Sequence, residues 1–261
     1  MRMGEEPHPD VDWHDWFRRW ETQQEGYVPE REARFEMMLD VLSALLPAQF
    51  VALDLASGPG SISQRLLAHF PEARVIAVDM DPVMLAIGQG ALGTVGGRLR
   101  WIQADLASSD WLRTLGDARI DAVLSATALH WLEPEPLARL YHELGRLLPT
   151  GGVFLNGDHL AFGSGTPTLQ RLSERALDDQ WSDAAFAARG IETAEQWWEA
   201  AAREPGLAPL VRERMALLAT KHRPASTPDF SAHVAALREA GFREVGGIWQ
   251  VLSDRVLLAV R

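Results

Sequence analysis

The chain has 261 residues, 47% of them hydrophobic, with 25 Lys and Arg against 36 Asp and Glu, a formal net charge of −11, and no cysteine. That balance argues against nucleic acid, whose phosphates demand clustered Lys and Arg; the strongest basic run is Lys221-His222-Arg223, and Lys221 is the only lysine. Disulfides, thiolate metal sites and Cys nucleophiles are excluded, no apolar run approaches the roughly 20 residues of a membrane span, and the acidic, Trp-rich start has no secretory h-region, so a cytoplasmic protein acting on a small molecule is expected.

Residues 1–46 read as a helical arm. Trp13, Trp16, Trp20 and Tyr27 recur at helix-like spacing, which predicts an amphipathic helix docked on the body. A second helix is expected over 29–46, with Arg31 on the same face as Phe35, Met38 and Leu42, where a charge needs a partner. The run His8-Pro9-Asp10-Val11-Asp12-Trp13-His14 is rich in ligand-type side chains, but it lies in the terminus and reads as solvated. No other ligand spacing is convincing, and no metal is expected.

Val51-Ala52-Leu53-Asp54-Leu55 then reads as a buried strand, and Ala56-Ser57-Gly58-Pro59-Gly60 as a turn feeding a helix over 61–70. Glycines let backbone N–H groups approach a ligand closely, and a helix N-terminus favours an anionic group. A P-loop would need Lys-Ser/Thr after the glycines, but Ser61-Ile62 follows. A dinucleotide fingerprint would need a third glycine or alanine where Ser63 stands, and Asp54 suits a cationic amine better than a diphosphate.

Further strands are expected over 74–79, 99–105, 120–126 and 153–156, with helices opening at Asp81-Pro82, an N-cap followed by Pro at N1, and over 135–148. Residues 88–97 read as a flexible, glycine-bearing loop. The alternation predicts an α/β, doubly wound, Rossmann-like sheet. After a helix over 230–240, strands over 242–251 and 256–260 joined by Leu252-Ser253-Asp254-Arg255 predict a closing antiparallel hairpin. The core therefore comprises 47–157 and 228–261, and 158–227, with Trp181, Trp197 and Trp198, is a helical insertion.

The run Asp54 to Gly60 resembles motif I of the class I S-adenosylmethionine (SAM)-dependent methyltransferases, D-x-G-x-G-x-G. Ala56 replaces the first glycine and adds little volume; Gly58 and Gly60 fill the other two places. Ala126-Thr127-Ala128-Leu129-His130-Trp131 resembles the motif IV region of the small-molecule members, and the hairpin resembles their seven-stranded architecture. The resemblance implies SAM as methyl donor and S-adenosylhomocysteine as product, in a crevice at the strand carboxyl ends. Asp54, Ala56, Ser57 and Gly58 would cradle SAM, Asp79 would accept from its ribose, and Asp105, Leu106 and Met80 would meet its adenine. The carbonyls near Ala126 and Thr127 would hold its amino group, with Arg31 on its carboxylate or in a structural salt bridge, and Trp20 and Tyr27 in a closing arm.

His130, or His159 after the fifth strand, is the candidate general base. His130, Trp131, Asp158, His159 and Trp198 are the candidate contacts to the acceptor, whose O, N or C nucleophile takes the methyl group. The insertion is either a lid with an aromatic wall or a homodimer contact; both use the same residues. An NAD-linked oxidoreductase and a non-catalytic SAM-binding protein are the alternatives.

Overall fold

The computed structural model describes residues 10–28, 30–221 and 228–261. His8-Pro9 of the ligand-rich run, Pro29 of the second helix and His222-Arg223 of the basic run lie outside them. Seven strands form one sheet: β1 (Val51–Leu55), β2 (Arg74–Asp79), β3 (Leu99–Gln103), β4 (Ala122–Ala126), β5 (Val153–His159), β6 (Glu244–Val251) and β7 (Asp254–Val260). Their order is β3-β2-β1-β4-β5-β7-β6. The first five are parallel, and β7 runs antiparallel to both β5 and β6. Sequential parallel strands therefore leave β1 in opposite directions, which opens a crevice between β1 and β4 at their carboxyl ends. Among the described residues no helix is long and apolar enough to cross a membrane.

The arm supplies α1 (Trp13–Tyr27) and α2 (Arg31–Leu45); α3 (Ser61–His69), α4 (Pro82–Leu92) and α5 (Pro134–Leu147) follow β1, β2 and β4. Between β5 and the hairpin lie α6 (Pro167–Trp181), α7 (Asp183–Arg189), α8 (Ala194–Arg203), α9 (Ala208–Leu218) and α10 (Phe230–Glu239). Two apolar layers sandwich the sheet. Phe35, Met38 and Leu42 of α2 with Ile62, Leu66 and Leu67 of α3 cover one face; Leu137, Leu140, Tyr141 and Leu144 of α5 with Leu237 of α10 cover the other. A third cluster joins the arm to the insertion, with Trp13, Trp16 and Phe17 of α1 packed with Val83, Met84 and Ile87 of α4 and with Trp197 of α8.

Two expectations change. β5 does not stop at Asn156 but continues to His159, because the antiparallel partner extends the ladder, pairing Asp158 with Arg255 and His159 with Asp254. Residues 88–92 are not a loop: α4 runs through Gly88 and Gly90 to Leu92. Both glycines mark close approach. A Cβ on Gly88 would lie 2.6 Å from the Pro59 carbonyl and 2.4 Å from the Trp101 ring, and one on Gly90 would lie 2.2 Å from the Trp13 ring.

Gly90→Ala should therefore push α1 off α4 and cost about 1–3 kcal/mol, the usual price of overpacking. Denaturant unfolding followed by tryptophan fluorescence measures the loss; unchanged stability would show that the arm adapts without cost.

Candidate active site

The turn after β1 holds its ligand-facing shape through its own bonds. Ser57 N–H donates to the Val78 carbonyl (3.1 Å) and Gly60 N–H to the Ser57 carbonyl (2.9 Å), while Gly58 N–H donates to Asp79 Oδ2 (2.7 Å). The two glycine amides are thus spent on protein acceptors, Gly60 within the loop and Gly58 on the end of β2, rather than offered to a ligand. The glycines also differ in role. Gly60, at φ +91°, has no room for a Cβ against Trp101, whereas a Cβ on Gly58, at φ +56°, would meet nothing within 4 Å. Gly58 is the tip that faces open space. Ala56 adopts φ +50°, so its departure from the motif is felt in the backbone, where a left-handed alanine costs roughly 1–2 kcal/mol, and not in volume.

Asp54 is not in the crevice. It is buried under the turn, where its Oδ2 accepts from Ser63 Oγ (2.6 Å) and Ser63 N–H (3.2 Å) and ties β1 to the first turn of α3. Burial pushes its pKa up to about 7. Asp79 ends β2 with Oδ1 on Asp81 N–H (2.8 Å) and Oδ2 on Gly58 N–H. Each oxygen keeps lone pairs for a further donor, so Asp79 fits two vicinal hydroxyls beside the open tip of the loop. Burial, followed by the nearby Asp81 carboxylate, pushes its pKa up to about 6. Met80 is half-buried next to it, and Leu106 is buried. Asp105 accepts from Ala107 N–H (2.9 Å) through Oδ1 and is ion-paired with Lys221 through Oδ2.

At the ends of β4 and β5 the structure assembles a pair that the order of residues did not suggest. His130 Nδ1 lies 2.7 Å from Asp158 Oδ1, and His130 N–H donates to Asp158 Oδ2 (3.2 Å). Asp158 and His159 are adjacent in sequence, but successive residues of a strand face opposite sides. Asp158 turns with Phe154 towards α5, whereas Gly157 and His159 turn towards α2. Asp158 is wholly buried, so it backs His130 and does not touch an acceptor. Burial opposes its ionisation, yet the charge and hydrogen bond of His130 and the adjacent His159 hold its carboxyl well below the usual range. Burial likewise opposes protonation of His130, and Asp158 overcomes this to raise its pKa. His159 goes the other way, down to about 4, chiefly through burial, and its Nδ1 is buried without a partner. Two histidines whose ring centroids lie 6.2 Å apart thus have opposite tendencies to carry charge.

A chain of aromatic contacts leads from this pair into the insertion and arm. Ring centroids are 4.9 Å apart for Trp131 and His130, 5.4 Å for His159 and Trp181, and 6.1 Å for Trp181 and Tyr27. The Tyr27 hydroxyl accepts from Ala194 N–H (3.0 Å) and its ring packs on Phe186, so this residue knits the arm to the insertion. Trp20 packs edge-on to Trp197, and Trp198 lies beneath the Arg214 guanidinium, 3.7 Å from its ring centroid. None of Trp20, Tyr27 and Trp198 joins the histidine pair. Arg31 makes the structural salt bridge, two-pronged to Glu21 at 2.9 and 3.1 Å, and is not free for a cofactor carboxylate. Glu21 also accepts from Ser61 Oγ, so the arm is pinned to the residue that follows the glycine turn.

The residue missed by sequence reading is Arg34. It is wholly buried, its Nη1 bonded to Asp254 Oδ1 (2.7 Å) and its Nη2 to Thr127 Oγ1 (2.6 Å). Its signal was available: it falls beside Arg31 on the apolar side of the same helix. Thr127 has φ +54°, an outlier for a β-branched residue of the kind that costs about 1–3 kcal/mol and clusters at functional sites.

Two outcomes follow. Asp158→Asn should drop the His130 pKa below 6.5, because desolvation and the Arg34 charge remain when the carboxylate is gone; NMR titration of the imidazole reads it, and an unmoved titration would break the pairing. For Asp54, the folded value of about 7 exceeds the unfolded one, so the folded protein keeps a proton that the unfolded chain releases. Stability should fall as pH rises from about 4 to 7, and Asp54→Asn should flatten that slope in urea unfolding across the range.

Comparison with known proteins agrees with this geometry. Residues 52–152 match a methyltransferase domain family. The chain is 31% identical over 235 residues to the trans-aconitate 2-methyltransferase of Methylobacterium radiotolerans, covering 82% of this chain and 85% of that protein. It is 33% identical over 135 residues to the protein of the same name from an Azoarcus species, covering 51% of this chain and 48% of that one. The chain spans about half the length of several such relatives. Among solved structures, the magnesium protoporphyrin IX methyltransferase of Synechocystis, with bound S-adenosylhomocysteine, has a TM-score of 0.57 at 15% identity, covering 95% of this chain and 97% of that one; that likeness is one of fold. The sheet order with its antiparallel end, and a relative matched along most of both chains, place this protein in a family: it belongs to the class I SAM-dependent methyltransferases.

Proposed function

We propose that this chain methylates a small-molecule acceptor, with His130 as the group that takes the acceptor's proton. The observation that carries the reading is the His130–Asp158 pair, 2.7 Å apart at the carboxyl ends of β4 and β5, on the same edge of the sheet as the glycine turn. A buried carboxylate behind an imidazole fixes its tautomer and stabilises the cation formed when the ring accepts a proton. When bound, SAM supplies an electrophilic methyl group and departs as S-adenosylhomocysteine. Asp79 would accept from the ribose hydroxyls, Asp105 and Leu106 would meet the adenine edge with Met80 on its face, and the Ala126 and Thr127 carbonyls would receive the amino group. To make that contact Asp105 would exchange its Lys221 ion pair for the adenine amine.

His130, Trp131 and His159, with Trp181 from α6, would wall the acceptor. Such a wall excludes water and strengthens the electrostatics around His130. The name of the relatives, trans-aconitate 2-methyltransferase, supports a small acid as the first acceptor to try. An ionised carboxylate has no proton to give, so with such an acid His130 would position the acceptor, and its role as base applies to a hydroxyl or amine acceptor. The net charge of −11 and the single lysine support a small molecule over nucleic acid.

Purified chain incubated with SAM and either trans-aconitate or a panel of small hydroxyl acceptors should form S-adenosylhomocysteine only when an acceptor is present. With a hydroxyl acceptor, turnover should rise with pH through a value above 6.5, since His130 must be unprotonated to act and Asp158 favours its protonated form. His130→Ala should then cut kcat by about 10²-fold or more, and a flat pH profile with full activity in that variant would leave positioning alone as the source of catalysis. Asp79→Ala should weaken SAM binding more than tenfold, on the order of the 1.5–3 kcal/mol of a charged hydrogen bond, measured by calorimetry.

A further inference from the structure

Arg34 occupies a position that packing alone does not explain. An apolar side chain would fill the same space on α2 without the cost of removing a guanidinium from water. Nor is the ion pair arranged for strength. A guanidinium facing a carboxylate favours the two-pronged arrangement, but here one nitrogen goes to Asp254 and the other to the Thr127 hydroxyl. As a result Arg34 Nε and Asp254 Oδ2 are both buried without partners. The geometry is organised around reaching Thr127.

What that reach accomplishes is visible at three strand ends. Thr127 follows β4 directly in its left-handed conformation, held by its N–H on the Gly157 carbonyl (2.8 Å) and by Arg34 on its hydroxyl. Gly157 of β5 lies against the Arg34 stem, where a Cβ would come within 3.1 Å of Cδ and 3.3 Å of Nε. Asp254 begins β7, opposite His159. One side chain from the arm thus gathers β4, β5 and β7 where the histidine pair stands, and its charge disfavours protonation of both histidines.

We propose that Arg34 is a positioning residue for methyl transfer: anchored by Asp254 and given room by Gly157, it holds Thr127 in the left-handed turn that aims the backbone at the end of β4 into the cofactor crevice. The inference rests on the SAM-dependent reading above. It makes Thr127 a residue whose hydroxyl matters for cofactor affinity although that hydroxyl is bonded to Arg34.

The test uses the full chain and S-adenosylhomocysteine as probe, with calorimetric affinity and melting temperature measured side by side. Thr127→Val keeps the shape and the strain but removes the acceptor, and should weaken binding about tenfold, the loss of one charge-assisted bond. Thr127→Ser restores the hydroxyl and should recover most of that loss. Arg34→Gln should weaken binding similarly, and the Arg34→Gln/Thr127→Val double variant should be little worse than either single change, because both break one contact. Should Arg34→Gln fail to fold, the Thr127→Val and Thr127→Ser comparison decides by itself. Full affinity in Thr127→Val, or losses that multiply in the double variant, overturns the proposal. A wild-type chain that binds no S-adenosylhomocysteine overturns the SAM reading instead.

Discussion

A carboxylate taken out of water needs opposite charge, several hydrogen bonds, or both, and Asp158 obtains both. His130 meets it with a ring nitrogen and a backbone N–H, and His159 adds a second backbone N–H at 2.9 Å. Its charge reaches further. It helps to hold the Tyr141 hydroxyl protonated, where that group pairs with His233 at 2.6 Å on the far side of the same layer, and it favours the charged form of Arg34 while disfavouring that of Asp254. Moving Asp158 would therefore disturb β5, the end of β4, and the contacts of α2, α5 and α10 together. The ionised groups of the site answer one another in a buried space where their charges are weakly screened.

Much of the fold could be read from local pattern. Apolar runs of strand length, an Asp-Pro helix start, a glycine turn and a short hairpin connection each constrain the backbone where they stand, and they appear in the structure within a few residues. Reading β5 as ending at Asn156 failed because its last three residues are strand only by virtue of β7, a partner a hundred residues away in sequence. The glycines of α4 misled for a related reason. Gly88 and Gly90 look like flexibility in a single sequence, but they are the absence of side chains demanded by Pro59, Trp101 and Trp13.

The site was less legible because its logic lies in which face a residue takes and whom it meets. Asp54 looked exposed to a ligand, but its neighbour across the turn is Ser63. Arg31 and Arg34 lie three residues apart on one helix, and sequence pattern singled out the one that Glu21 satisfies. Asp158 and His159, adjacent in sequence and both expected at the acceptor, are separated by strand alternation. Asp79 ends a parallel strand beside the glycine turn, as its place in the sequence suggests, and is bonded to the turn through Gly58 N–H. The arm and insertion add one more non-local effect: Tyr27, Trp181 and Phe186 interlock, and Glu21 joins Arg31, Arg65 and Ser61. Helices far apart in sequence are joined to one another by these contacts.

The pairing of Lys221 with Asp105 carries a practical consequence. Because the chain has a single lysine, its only side-chain amine sits on Asp105, the carboxylate proposed above for the adenine edge. Amine-directed labelling, elsewhere a scattered modification of many surface sites, becomes here, apart from the N-terminal α-amine, a report from one side chain. A dye or mass tag installed at Lys221 would mark the rim between α9 and β3, and the rate of its attachment would follow whether that ammonium is engaged or released.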